Sequence, residues 1–195
     1  MLWLAVVLVL SMGIAVVRGG RMLNLGDIHL RSWWLLPVGF LFQVGVAQFL
    51  PREAAGWGVA LILVSYVILL GLVLRNRDKP GLWLAGLGIL MNLTVIALNG
   101  GMPVLAGAAE VASGFAPGSP VITESYKHVV LDNSSRLVFL ADVIPLRIAG
   151  AGQVISLGDV FLAVGLGWFI ESELRRPIRW FKRGARAKAG SASRY

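Results

Sequence analysis

Five uninterrupted apolar runs constrain this chain more than anything else in it. They cover 1–17, 33–50, 55–74, 82–98 and 154–170, so each is 17 to 20 residues long. A helix rises about 1.5 Å per residue, so each run approaches the roughly 30 Å of a bilayer's hydrocarbon core. No Asp, Glu, Lys, Arg or His lies deep within any of them. A soluble fold would have to bury all five runs against one another, and the composition argues against that. Apolar residues make up 57% and charged residues 14% of the chain, where soluble domains carry about 25% charged residues. The expected fold is all-α: a polytopic membrane protein with five transmembrane helices.

The charges between the runs orient them. The net charge of +8 could suggest nucleic acid, but eight of the eighteen basic residues follow Glu173 and most others flank apolar runs. That is membrane topology rather than a polyanion footprint, and no nucleic-acid partner is expected. With the N-terminus outside and five crossings, the inner segments hold Arg18, Arg21, Arg31, Arg75, Arg77, Lys79 and the eight basic residues of the tail. The outer segments hold Arg52, Lys127, Arg136 and Arg147. Fourteen against four is a strong positive-inside bias. Trp3, Trp33, Trp34, Trp57, Trp83 and Trp168 lie near predicted helix ends, where indole rings anchor at headgroups. The first run lacks the basic leader of a signal peptide and reads as an uncleaved anchor. The chain therefore divides into a membrane domain over 1–174 and a basic cytoplasmic tail over 175–195.

The tail interleaves Ile178, Trp180 and Phe181 with its basic residues, which suits an anionic leaflet as well as a stop-transfer signal. Inside the runs the polar residues are few. Gln43 and Asn92 most simply make interhelical hydrogen bonds, and Gly56/Ala60, Gly81/Ala85 and Ala163/Gly167 are small pairs that allow close helix contact. Leu25-Gly26-Asp27-Ile28 and Leu157-Gly158-Asp159-Val160 resemble each other and precede apolar runs. Two helix N-caps explain this more simply than an inverted repeat.

The long connection from 99 to 153 stands outside in this topology, as an outer cap. Leu137 to Ile148 is too short to span and carries Asp142, Pro145 and Arg147. A short interfacial or re-entrant helix is expected over 136–147, capped by Ser134 or Ser135 and closed by Pro145. The candidate polar site is Asn99, His128, Asp132, Arg136, Asp142 and Asp159, all in or beside this connection. His128 and Asp132 are four apart, so a local helix would let them share a proton or a metal. Asp132 and Arg136, also four apart, could pair with each other. Asn99-Gly100-Gly101 could reverse the chain, because glycine accepts positive φ. There is no cysteine, hence no disulfide, thiolate ligand or thiol nucleophile. Neither a catalytic set nor a metal-ligand set emerges, and no cofactor is indicated.

Asn99-Gly100-Gly101-Met102-Pro103, the segment from His128 to Arg136, Leu140-Ala141-Asp142-Val143-Ile144-Pro145-Leu146 and Ile155-Ser156-Leu157-Gly158-Asp159-Val160 together resemble an uncharacterised family of small bacterial integral membrane proteins. A family run of Ile-Pro-Leu-Pro is Ile144-Pro145-Leu146-Arg147 here. The resemblance implies a bacterial cytoplasmic-membrane location and no activity. Three roles are open to such a chain. One is a scaffold or accessory subunit that binds a protein partner, a second copy or lipid. Another is a small transporter with a site between the cap and the helix ends. The third is a membrane enzyme or metal site using His128 and nearby carboxylates.

Overall fold

The apolar runs are helical. The structure, a computed structural model, describes residues 2–49, 55–113, 128–148 and 150–177. Its long helices are α1 (Leu2–Val17), α2 (Leu35–Phe49), α3 (Ala55–Arg75), α4 (Leu82–Asn99) and α6 (Leu157–Leu174). Between α4 and α6 lie strand β1 (Met102–Val104), helix α5 (Ala106–Ser113), strand β2 (His128–Val130), a 3-10 turn (Val138–Leu140) and strands β3 (Ile144–Ile148) and β4 (Ala151–Ile155). The molecule is mostly helical but not all-α. Among the described residues two helices, Gly56–Arg75 within α3 and all of α4, are long and apolar enough to cross a membrane.

The long helices form a row. α6 packs between α1 and α4, α4 also packs on α3, and α3 on α2. Side-chain contacts set the directions. Arg18, just past α1, reaches Glu171 near the end of α6, so these two helices run parallel. Gln43 of α2 donates to Ser65 of α3 at 3.0 Å, as an interhelical bond. Gly88 of α4 and its N-cap residue Gly81 abut Gly158 and Gly165 of α6, so α4 and α6 are antiparallel. The spacing of seven keeps Gly158 and Gly165 on one face of α6. A Cβ on Gly88 would strike the Gly158 carbonyl and the Leu162 amide, and one on Gly165 would strike the Ala85 backbone. Close backbone approach therefore depends on these glycines. Of the small pairs, Gly81/Ala85 lies at this α4–α6 contact and Gly167 faces Ser11 and Val7 of α1, whereas a Cβ on Gly56 would meet none of the described residues.

Polarity is distributed inside out. Leu10, Ile14, Phe40, Leu41, Val67 and Leu74 are among the exposed apolar side chains, while Ser65, Asn76, Asn92, Ser156 and Glu173 are buried.

The connection after α4 differs from expectation. Gly100, with φ of +67°, ends α4 and turns the chain back, as its glycines suggested. β1 then runs parallel to β2, with Met102 opposite His128 and Val104 opposite Val130. On its other side Val104 bridges Asp142: the Asp142 amide donates to the Pro103 carbonyl, and the Leu105 amide donates to the Asp142 carbonyl. β3 and β4 form an antiparallel hairpin packed on α5. The interfacial or re-entrant helix expected over 136–147 is absent. The segment holds one 3-10 turn, and Pro145 sits inside β3 rather than closing a helix. The alternation Ile144, Leu146, Ile148 has a period of two, which suits a strand with one covered face. The same hairpin takes Val154 and Ile155 out of the fifth apolar run, so α6 starts at Leu157 and extends to Leu174.

Candidate functional site

Three of the six candidate side chains, Asn99, Asp132 and Asp159, are committed to holding the backbone. Asn99, the last residue of α4, has its Nδ2 donate to the Val95 carbonyl at 2.8 Å and to the Arg136 carbonyl at 3.0 Å. Its Oδ1 accepts the Arg136 amide at 2.7 Å. One side chain thus caps the helix end and clamps both polar groups of a distant peptide. The next residue, Leu137, has φ of +54°, an uncommon conformation for a side chain of its size. The clamp helps to hold it there.

Asp132 closes a local turn. Its Oδ1 accepts the Ser134 amide and hydroxyl at 2.9 and 2.7 Å and the Ser135 hydroxyl at 3.2 Å. The Ser134 hydroxyl bond, then the other bonds from the two serines, hold its carboxyl below the ordinary aspartate range. His128 is in β2 and Asp132 in this turn, so the helical face once expected for them does not exist. Nor does Asp132 pair with Arg136, whose backbone is held by Asn99.

Asp159 belongs to the third turn-like unit. Ser156 is the N-cap of α6, accepting the Asp159 amide at 3.0 Å, and Asp159 reaches back to the Ser156 amide at 3.4 Å. This capping box joins α4 through Asn92, which donates to Asp159 Oδ1 at 2.7 Å and accepts from the Ser156 hydroxyl at 2.9 Å. Leu157-Gly158-Asp159 thus forms the first turn of α6 rather than preceding it: the N-cap is Ser156, and Asp159 is its capping-box partner three residues on. Leu25-Gly26-Asp27 behaves differently and ends a 3-10 helix, Met22–Asp27.

His128 and Asp142 are the candidates brought together across the cap. They flank β1 from opposite sides, and His128 Nε2 lies 3.7 Å from Asp142 Oδ2. Asp142 is almost fully buried and His128 is 36% exposed. At that distance they are an ion pair when the imidazole is protonated, and not a hydrogen bond. Among the described residues no group of three or more His, Asp or Glu could hold a metal ion.

Two polar centres at the opposite end of the helices escaped the sequence reading. Asn76, just past α3, accepts the Arg31 amide at 2.8 Å and donates to the Arg31 and Leu72 carbonyls at 2.9 and 2.8 Å. This repeats the Asn99 clamp atom for atom, again on the backbone of an arginine. Nearby, buried Glu173 accepts Lys79 at 3.2 Å and Arg176 at 2.9 Å, and Lys79 also lies 5.7 Å from the centre of the Phe169 ring. The Ser-x-x-Asp spacing at 156–159 was a legible capping signal. Nothing local in the sequence links residue 31 to 76 or 79 to 173.

A model of a family of unknown function (DUF5317) matches residues 27–171. The chain belongs to that family. An uncharacterised protein of Thermotoga maritima is similar to it, 28% identical over 149 residues that cover 75% of this chain and 78% of the relative. No solved structure matches the chain. The DUF5317 stretch takes in both asparagine clamps, the His128–Asp142 pair and the Asn92–Ser156–Asp159 network. It leaves α1 and Glu173 outside.

Proposed function

We propose that this DUF5317 protein is an integral protein of the bacterial cytoplasmic membrane and that it works by binding, as a scaffold or accessory subunit. In this reading α1, α2, α3, α4 and α6 all cross the bilayer, with the N-terminus and the β cap outside. The observation that carries it is the charge separation produced by the helix row. Arg18, Arg31, Arg75, Arg77, Lys79, Arg175 and Arg176 gather at one end, while the cap with Asn99 and Arg136 stands at the other. Exposed Trp33, Trp34, Trp83 and Trp168 lie toward the basic end, and exposed Trp57 toward the other.

Binding is favoured over catalysis because Asn99, Asp132 and Asp159 are occupied in clamping, turning and capping. The cap also exposes Val130, Val138 and Phe139, the last 66% accessible. A photoreactive residue at Phe139, activated in intact cells, tests this. A stoichiometric adduct to one protein supports the scaffold reading. An adduct to phospholipid alone replaces it with a cap that only anchors in the headgroups.

The His128–Asp142 pair favours one second reading, a ligand or ion site in the cap. His128→Gln would then abolish retention of a copurifying ion or small molecule, and unchanged retention would dismiss that reading.

A further inference from the structure

The basic end carries more positive charge than its own fold neutralises. Glu171 Oε1 accepts Arg18 Nη1 and Arg175 Nη1, each at 3.0 Å. The carboxylate side chain is 14% exposed and the two arginine side chains 57% and 41%. One anchored anion therefore holds two outward-facing guanidiniums together. The neighbouring Glu173 is shared in the same way by Lys79 and Arg176. Four cations meet two carboxylates, and the α6 C-terminus offsets only about half a charge. Each guanidinium has five N–H donors, and Glu171 engages one nitrogen of each.

The pair stands on a fixed frame. The Arg21 amide donates to the Leu174 carbonyl at 3.0 Å, and Asn24 Nδ2 donates to the Leu174 and Arg176 carbonyls at 2.8 and 3.0 Å. A Cβ on Gly20 would lie 3.3 Å from Arg175 Cγ, so the loop packs against that side chain.

Below the guanidiniums the surface is apolar. On α6, Val164, Trp168, Glu171 and Arg175 follow one helical stripe, and Val164 and Trp168 are exposed. On the parallel neighbour α1, Leu10, Ile14 and Arg18 follow another, with Leu10 60% and Ile14 53% exposed. Two apolar stripes, each ending in an arginine, have the polarity of an amphiphile.

We propose that Arg18 and Arg175, held together by Glu171, bind the phosphate of an anionic phospholipid whose acyl chains lie along these α1 and α6 stripes. A phosphodiester carries the single negative charge that the Arg18–Glu171–Arg175 cluster lacks, and guanidinium forks fit its oxygens. The proposal rests on the membrane-embedded reading above.

Native mass spectrometry of the full chain in mild detergent, titrated with phosphatidylglycerol, tests it. The first bound lipid should be weakened about 100-fold in Arg18→Gln/Arg175→Gln, at about tenfold for each charge-assisted guanidinium–phosphate bond lost. Arg75→Gln/Arg77→Gln removes equal charge at the same end and should leave that first affinity unchanged. Arg18→Lys/Arg175→Lys keeps the charge and serves if the glutamine pair does not fold; losing the forks should still weaken binding about fivefold. Phosphatidylcholine should bind much more weakly, and millimolar inorganic phosphate should not displace the lipid.

Equal losses in both glutamine pairs would overturn the site in favour of diffuse attraction. Equal affinity for the two lipids, or displacement by inorganic phosphate, would overturn the anionic-lipid assignment. Maleimide labelling of Arg77→Cys in cells is read separately. Labelling from outside would refute the orientation while leaving the lipid measurement to stand or fall by itself.

Discussion

The two asparagine clamps offer a controlled comparison, because the same three hydrogen bonds are made at opposite ends of the helix row with different burial. Asn76 is fully buried, and its bonds run to the Arg31 amide and carbonyl and to the Leu72 carbonyl. Truncation to alanine leaves these backbone groups without a partner, the Leu72 carbonyl buried and the two Arg31 groups part-buried. At about 1 kcal/mol per bond, Asn76→Ala should cost about 3 kcal/mol. Asn99 makes the matching bonds to Arg136 and Val95, but its two bonds to Arg136 are exposed. Water can replace those, so Asn99→Ala should cost only about 1 kcal/mol. Aspartate at either position keeps the acceptor for the amide and sets a carboxylate against two carbonyl oxygens, so it should be no better than alanine. Reversible unfolding in mixed micelles, followed by tryptophan fluorescence, reads the difference. A loss at Asn99 as large as that at Asn76 would refute a structural clamp weighted by burial. It would return Asn99 to the list of functional residues.

Three further outcomes are expected. Gly88→Ala should destabilise the protein by about 1–3 kcal/mol, because the added methyl meets α6 backbone; Gly13→Ala, inside α1 with open space around it, should be neutral or stabilise by up to about 1 kcal/mol in the same unfolding assay. Lys79→Met should cost about 2–3 kcal/mol by leaving buried Glu173 with only the half-exposed Arg176, and Lys79→Met/Glu173→Gln should recover most of it, as a double-mutant cycle would show. The Asp132 turn should fail in acid: its carboxyl is depressed in the folded state, so its stabilisation is full above the ordinary aspartate range and is lost as pH falls through the lower folded value. Protection of the Ser134 amide, taken relative to its intrinsic exchange rate at each pH, should fall there, and Asp132→Asn should remove that pH dependence.

The long helices were legible because apolar length leaves few alternatives. α1, α3 and α4 fall within a residue or two of their apolar runs, and Gly100 ends α4 where the Asn-Gly-Gly signal predicted a reversal. The cap was misread where two periods competed. Val143, Ile144 and Ile148 are β-branched and Ile144, Leu146 and Ile148 alternate, yet Ser134, Ser135 and Pro145 looked like helix punctuation. Strand pairing decided the matter, because the end of β4, Val154 and Ile155, looked like the start of a fifth apolar run. Within the candidate site, Asp159 was legible as part of a helix start, but as the N-cap itself rather than as the N3 partner of Ser156. The roles of Asn99 and Asp142 were not, since each depends on a peptide far along the chain, Arg136 and Pro103 respectively. The same holds for Lys79 and Glu173, whose partnership exists only because α4 and α6 pack antiparallel. The tail beyond Pro177, where lipid contact was also expected, lies outside the described residues.

The central claim is that all five long helices cross one bilayer, with the cap outside and the arginine-rich ends inside. Because the chain has no cysteine, single-cysteine variants report without background. Ser134 in the cap and Arg77 between α3 and α4 are both exposed. A membrane-impermeant maleimide added to intact cells should label Ser134→Cys at once and Arg77→Cys only after permeabilisation. Labelling of both from the same side, or of Arg77→Cys alone, would contradict the five-span topology.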